Sequence, residues 1–233
     1  MLAQDEIKRL ALKLQTTELN IRREFVQHQF LRFFYQQAKA SEIFFKGGTA
    51  LRIIYQSPRF SEDLDFDSKL NLSELESVIE STLELLAMDG TKSEILESKM
   101  TSGGYLGIIT LDDLKTSLEI SNRKNSIGEP NTIVSDFTLP YTLISLKKES
   151  LVSEKIDALI TRQKPRDFYD LYFMLRSNLL SRKQKERALE SISLIKTINI
   201  NFEKELKIFL PKSHWPVIAD FKSLLLKEIG LYI

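Results

Sequence analysis

Three aspartates, Asp63, Asp65 and Asp67, recur at every second position of the run SEDLDFD, with Leu64 and Phe66 between them. Alternate side chains of a strand share a face, so this spacing predicts a strand that turns its acids one way and its apolar residues into the core. Like charges so close together repel, and a divalent cation between them relieves the repulsion. Mg2+ typically takes one or two carboxylates and leaves its other positions to water and substrate phosphate. The same pattern also suits a charged strand edge that resists aggregation. Asp67, near the end of the run, is the weakest of the three candidates. A further carboxylate is wanted to hold a second ion and to accept a proton from an attacking hydroxyl. Glu119, the one acid in LKTSLEIS, has the best position, with an exposed strand glutamate as the competing reading.

A second chemical signal lies upstream. Gly47, Gly48 and Thr49 stand where a short apolar run meets a helical one. Glycine allows a phosphate to approach the backbone, and a helix start offers unpaired N–H groups. An ordinary Gly-Gly turn with a Thr cap is the competing reading. The spacing of a Walker loop is absent. The chain has no cysteine and two histidines, His28 and His214, so thiolate metal sites, disulfides, thiol nucleophiles and multi-histidine centres are excluded, and a metal must be held by oxygen.

The elements that must position these residues follow from periodicity. Asp5 to about Ala40 reads as two helices carrying Phe25, Phe30, Phe33 and Phe34 into the core. Residues 42–45 read as a strand and TALRIIYQ as a helix stopped by Ser57-Pro58. SEDLDFD reads as a second strand and residues 72–87 as an amphipathic helix opened by the Asn71/Ser73 region. Strands are expected at residues 92–99, 105–111 and 114–121, with another near 132–137. After Pro140 the pattern is read as helical, with helices at 150–161, 165–176, 181–191, 202–209 and 216–226. The fold class is therefore α+β followed by helices.

With 233 residues, 42% hydrophobic and 28% charged, the chain can bury a core as one large domain or as a domain with a substantial appendage. The net charge of +1 hides an asymmetry. Residues 1–146 hold 16 Lys and Arg against 21 Asp and Glu, whereas residues 147–233 hold 17 against 11. An acidic half suited to cations and a basic half suited to polyanions fit an enzyme that handles nucleotides or nucleic acid, although scatter of surface charge gives the same numbers. Arg162, Lys164, Arg182, Lys183, Lys185 and Arg187 could track a phosphate backbone, or simply solvate a helix face. No apolar run approaches the roughly 18 residues of a membrane span, and the start shows no cleavable apolar core, which reads as a soluble cytoplasmic protein without membrane partners.

Taken together, KGGTALRIIY from Lys46 and RFSEDLDF from Arg59 resemble the motif that opens the minimal nucleotidyltransferase superfamily, in particular its abortive-infection AbiEii/AbiGii-type toxin branch. EKIDALITRQKPRDFYDLY from Glu154 resembles that branch's second signature, a Lys-bearing helix leading to Arg-Asp-x-x-Asp. The likeness covers residues 44–67 and 151–175 directly. It implies a nucleotidyltransferase-like mixed sheet flanked by helices over residues 1–146, and a C-terminal helical domain over 147–233 that completes the nucleotide site. By the same resemblance Gly47, Gly48 and Thr49 would bind the triphosphate, and Asp63 and Asp65 would ligate Mg2+. Glu119 would stand where relatives often carry Asp, Arg59 and Ser61 would brace the loop or touch phosphate, and Lys155 would reach the phosphates. Asp167 and Asp170 would complete the pocket, while Arg166 and Tyr169 would pack or form structural ion pairs. The implied activity is Mg2+-dependent transfer of a nucleoside monophosphate from an NTP to an acceptor hydroxyl, with RNA, and tRNA in particular, as acceptor. The implied setting is the toxin of a toxin–antitoxin or phage-defence pair, with a cognate antitoxin as partner. A catalytically inactive nucleotide- or RNA-binding module on the same fold is the alternative.

Overall fold

The two N-terminal helices form where helical spacing places them, as α1 (Gln4–Lys13) and α2 (Glu18–Phe34). Thr17 caps α2 by accepting the Asn20 N–H, and the four phenylalanines of α2 are buried. The computed structural model describes residues 2–101 and 103–231. These fall into two compact units. The first takes the chain up to Lys13, Thr17–Gln56 and Phe60–Lys147. The second takes Leu14–Thr16, Ser57–Arg59 and the chain from Lys148.

In the first unit the strands β1 (Ile43–Lys46), β2 (Leu64–Ser68), β3 (Ser93–Thr101), β4 (Gly104–Leu111), β5 (Leu114–Asn122), β6 (Gly128–Ile133) and β7 (Tyr141–Leu146) make a seven-stranded mixed sheet. Its order is β3-β4-β5-β2-β1-β7-β6. β2 and β1 are thus central. β1 runs antiparallel to β2 and parallel to β7, and β2 runs parallel to β5. The helix α3 (Gly47–Ile53) follows β1 without a break. The helix α4 (Leu72–Met88) starts in a capping box in which Asn71 and Glu74 bond each other's backbone N–H, so the cap is Asn71 and not Ser73. The Tyr35 hydroxyl accepts the Phe45 N–H at 3.1 Å and lies 3.0 and 2.8 Å from the carbonyls of Ile43 and Ile144, which ties the end of α2 to β1 and β7.

In the first unit three expectations need correction. The acidic strand begins at Leu64, so Asp63 lies in the extended segment before it. The strand expected near 132–137 forms at Gly128–Ile133, where Pro130 is tolerated because β6 is an edge strand. Residues after Pro140 form a strand before any helix. Tyr141, Leu143 and Ser145 are buried while Thr142 is exposed, an alternation that the apolar Ile144 and Leu146 obscure in the sequence.

The second unit is helical: α5 (Lys148–Arg162), α6 (Pro165–Arg176), α7 (Arg182–Leu189), α8 (Ser191–Thr197), α9 (Phe202–Leu206), α10 (Trp215–Ala219) and α11 (Phe221–Gly230). Pro165 opens α6, where its missing donor is not needed. The helix expected at 181–191 ends at Leu189, and the one expected at 216–226 is divided at Asp220. An aromatic core joins the distant segments. Phe202 packs edge-on against Phe221 at 4.9 Å, and Tyr169 stacks on Phe221 at 5.9 Å. Trp215 is half-buried under the Lys207 ammonium.

Candidate active site

The acidic strand and the glycine turn meet in the first unit. Gly47 has φ +79°, and a Cβ added there would stand 1.8 Å from Asp65 Oδ2. The Asp65 carboxylate therefore occupies the space that any other side chain at the start of α3 would fill. The sheet register puts Asp65 directly beside Lys46 on β1 and beside Glu119 on β5. Neighbouring strands lie about 4.8 Å apart and paired residues share a face, so these three side chains form one row. Asp65 is half-buried and Glu119 is exposed.

Asp63 is half-buried, and its segment is held at three consecutive carbonyls. The Gln27 side-chain amide donates to Ser61 and Glu62 at 2.9 and 3.2 Å, and the Thr49 hydroxyl donates to Asp63. Arg23 adds an ion pair to Glu62 at 2.6 Å. Thr49 is fully buried, so its hydroxyl serves this backbone bond. α3 is braced in turn by Arg52, which makes a two-pronged pair with Glu24 (2.9 and 3.0 Å) and lies 4.0 Å over the Phe60 ring.

Asp67 stands apart from this row. It is fully buried, with Lys46 Nζ at 2.6 Å and the Ser126 hydroxyl donating at 2.6 Å. Among the described residues, no three Asp, Glu or His side chains converge into a ready-made metal site. The donors at hand are hard carboxylate oxygens on Asp63 and Asp65, with Glu119 next in register. Asp65 in particular is aimed over a glycine where no side chain competes. That set fits Mg2+, which needs few protein ligands.

In the second unit Arg59, Lys155 and Asp170 form a buried cluster. Arg59 donates through Nε and Nη2 to the two Asp170 oxygens at 2.8 and 3.0 Å, and Lys155 Nζ donates at 2.8 Å. Burial alone would raise the Asp170 carboxyl, but the two cations outweigh it and hold the pKa at about 2. Asp167, three residues earlier on α6, is also buried. It accepts the Lys164 N–H at 3.1 Å, closing the helix start, and pairs with Arg162. Of the basic residues considered for a phosphate backbone, Arg162 pairs with Asp167, Arg182 with Glu186 and Arg187 with Asp157, and Lys185 donates to Asn178. Lys164 and Lys183 are exposed. His28 is buried in the first unit, where its Nδ1 lies 2.9 Å from the Tyr141 hydroxyl and its ring stacks on Phe137. Burial, aided by the charge of Arg52, lowers its pKa to about 4.

Sequence reasoning missed Gln27, Lys46 and Ser126 because each acts on a partner from another element; Lys46 opens KGGTALRIIY, but nothing in that string shows that its ammonium reaches Asp67.

The profile of one family, described as nucleotidyl transferase AbiEii toxin of a type IV toxin–antitoxin system, matches residues 29–224. The chain belongs to this family. It is a nucleotidyltransferase of the toxin kind. Among solved structures, JHP933 from Helicobacter pylori is similar with a TM-score of 0.68 and 20% identity over 93% of each chain. MenT4, the nucleotidyltransferase toxin Rv2826c from Mycobacterium tuberculosis H37Rv, is similar with a TM-score of 0.63 and 17% identity over 100% of this chain and 90% of that one. At such identities these likenesses speak for the fold, a mixed sheet with flanking and C-terminal helices. A search of curated proteins gives no match to the sequence. Among the described residues, no helix is long and apolar enough to cross a membrane.

Proposed function

We propose that this AbiEii-family toxin transfers a nucleoside monophosphate from an NTP to an RNA hydroxyl, tRNA being the favoured acceptor, in a Mg2+-dependent reaction restrained by a cognate antitoxin. The observation that supports this reading most is the close approach of the Asp65 carboxylate to Gly47, beside Gly48 at the start of α3. Asp63 and Asp65 would hold the cation, with Glu119 completing the row. Bound there, Mg2+ would neutralise charge on phosphate oxygens and lower the pKa of the acceptor hydroxyl. Gly47 and Gly48 would let the triphosphate come close to the main chain. Thr49 would act one step back, by fixing the Asp63 backbone through its hydroxyl. Glu119, the exposed member of the row, would accept the proton as the acceptor oxygen attacks the α-phosphorus and pyrophosphate leaves. Lys155 is kept as a nucleotide-handling cation, and Asp170 as the group that holds it together with Arg59.

The test is to incubate the purified chain with each labelled NTP, Mg2+ and total RNA and to follow the label. Transfer to an RNA band that disappears in Asp63→Ala and Asp65→Ala, with both variants folded, supports the reading. Full activity in either variant, or label on a small molecule with no dependence on salt, would overturn it. Acceptor binding by RNA should weaken steeply as salt rises.

A further inference from the structure

The first unit holds a buried charged cluster that the chemistry above leaves unused. Asp67 ends the acidic run, is fully buried, and faces Lys46 Nζ at 2.6 Å, the Ser126 hydroxyl at 2.6 Å and Arg123 Nε at 3.7 Å. Lys46 is itself buried, with a side chain only 10% exposed. Antiparallel pairing sets Lys46 opposite Asp65 while its ammonium reaches Asp67. One cation thus lies among two carboxylates that sit two residues apart on one strand face. Burying a carboxylate calls for a counter-charge and hydrogen bonds, and here Lys46 supplies the first while the Ser126 hydroxyl donates one of the second.

We propose that Lys46 is a positioning residue for the divalent-cation site: by neutralising Asp67 it removes the third aspartate of the run from the ligand set and sets the charge against which Asp65 binds the cation. The inference rests on the reading of Asp63 and Asp65 as cation ligands. Side chains at i and i+2 of a strand are separated by two rises, about 7 Å. At that distance an unbalanced unit charge changes the affinity for a divalent ion by about ten-fold even under the full screening of water, and by more in a half-buried site. Lys46 and Asp67 together sum to zero and are nearly silent to the ion. Each without the other is not.

The variants follow from that arithmetic. Asp67→Asn keeps the shape of the site and leaves the ammonium beside Asp65 unbalanced, so Mn2+ should bind at least about ten-fold more weakly. The double variant Lys46→Met/Asp67→Asn removes both charges and should return to within about two-fold of wild type. Lys46→Met alone deprives buried Asp67 of its closest counter-charge and can fail to fold, which is why the double variant carries the test. The readout is Mn2+ binding to the full chain without nucleotide, by calorimetry and by the electron-spin signal of unbound Mn2+, with thermal melting of every variant beside it. A weakened single variant and a restored double variant, both folded, support the proposal. An unchanged Asp67→Asn overturns it. A double variant that stays weak also overturns it, because Asp67 would then be a ligand itself. If wild type binds no Mn2+ and Asp65→Asn makes no difference, the cation reading of the site fails and this inference fails with it. If Asp65→Asn abolishes binding while the Lys46 and Asp67 variants leave it unmoved, only this inference fails.

Discussion

Replacing Gly47 by alanine tests the glycine turn against the acidic strand in one step. An added Cβ would stand 1.8 Å from Asp65 Oδ2, whereas ordinary contacts begin at 3.4 Å, so the carboxylate must retreat by about 1.6 Å. A misplacement of about 1 Å at a reacting centre can cost about 100-fold in rate, and Gly47→Ala should therefore lose at least about 100-fold in nucleotide transfer. Gly47 also has φ +79°, and an L-residue in that region costs about 1 to 2 kcal/mol. A control separates the two effects. Gly90 has φ +86° with nothing within 4 Å of an added Cβ. Gly90→Ala should suffer the backbone penalty alone, seen as a lower denaturation midpoint, with transfer intact. The assay is label transfer to RNA alongside urea unfolding of both variants. If Gly47→Ala loses no more stability than Gly90→Ala and keeps its activity, the Asp65 carboxylate does not lie over Gly47 in the working enzyme, and the reasoning is refuted.

Three further outcomes are expected. His28 is buried with a pKa near 4, below the ordinary 6.5, so the unfolded chain takes up the proton first and stability falls as the pH drops from about 6.5 toward about 4. Between about pH 7 and pH 5 this amounts to about 2 kcal/mol, and His28→Phe should flatten the slope of urea-derived stability in that window. Asp170→Asn leaves the Arg59 and Lys155 cations buried around a neutral amide and should destabilise by about 3 to 5 kcal/mol. Because the Asp170 pKa is held down at about 2, its contribution in wild type is fully present above about pH 4 and fades only as the pH falls toward 2, which acid unfolding of the two forms compares. Thr49→Val removes the hydroxyl that fixes the Asp63 carbonyl, and should lose about 1 to 2 kcal/mol and much of the transfer rate, whereas Thr49→Ser keeps both.

What the sequence makes legible here is local. Helical spacing places α1 to α4, the turn signals Gly103-Gly104 and Asp112-Asp113 separate β3, β4 and β5, and alternation identifies the acidic strand. β7 is harder to read because its pairing with β1 is long-range and parallel, at Phe45 and Ser145, and its apolar residues fall on both faces. The register that brings Glu119 beside Asp65 is likewise decided by strand order, which no spacing within LKTSLEIS reveals. Asp67 looks equivalent to Asp65 in sequence. Its difference comes from Lys46 and Ser126, the latter 59 residues away. The charge asymmetry overstates how basic the second unit's surface is, since Arg162, Arg182 and Arg187 each meet an acid nearby.

Arg59 belongs to the second unit although the chain on either side of it, up to Gln56 and from Phe60, belongs to the first. Its guanidinium bonds Asp170, 111 positions later. A polypeptide starting at Lys148 would inherit a carboxylate sealed from solvent and only one of its two cationic neighbours. Truncation at the apparent boundary should therefore yield a tail that folds poorly, and exchange of tails among relatives succeeds only if the tripeptide ending in Arg59 travels with its helix. The two signatures are thus physically one piece, although residues 68–150 lie between them.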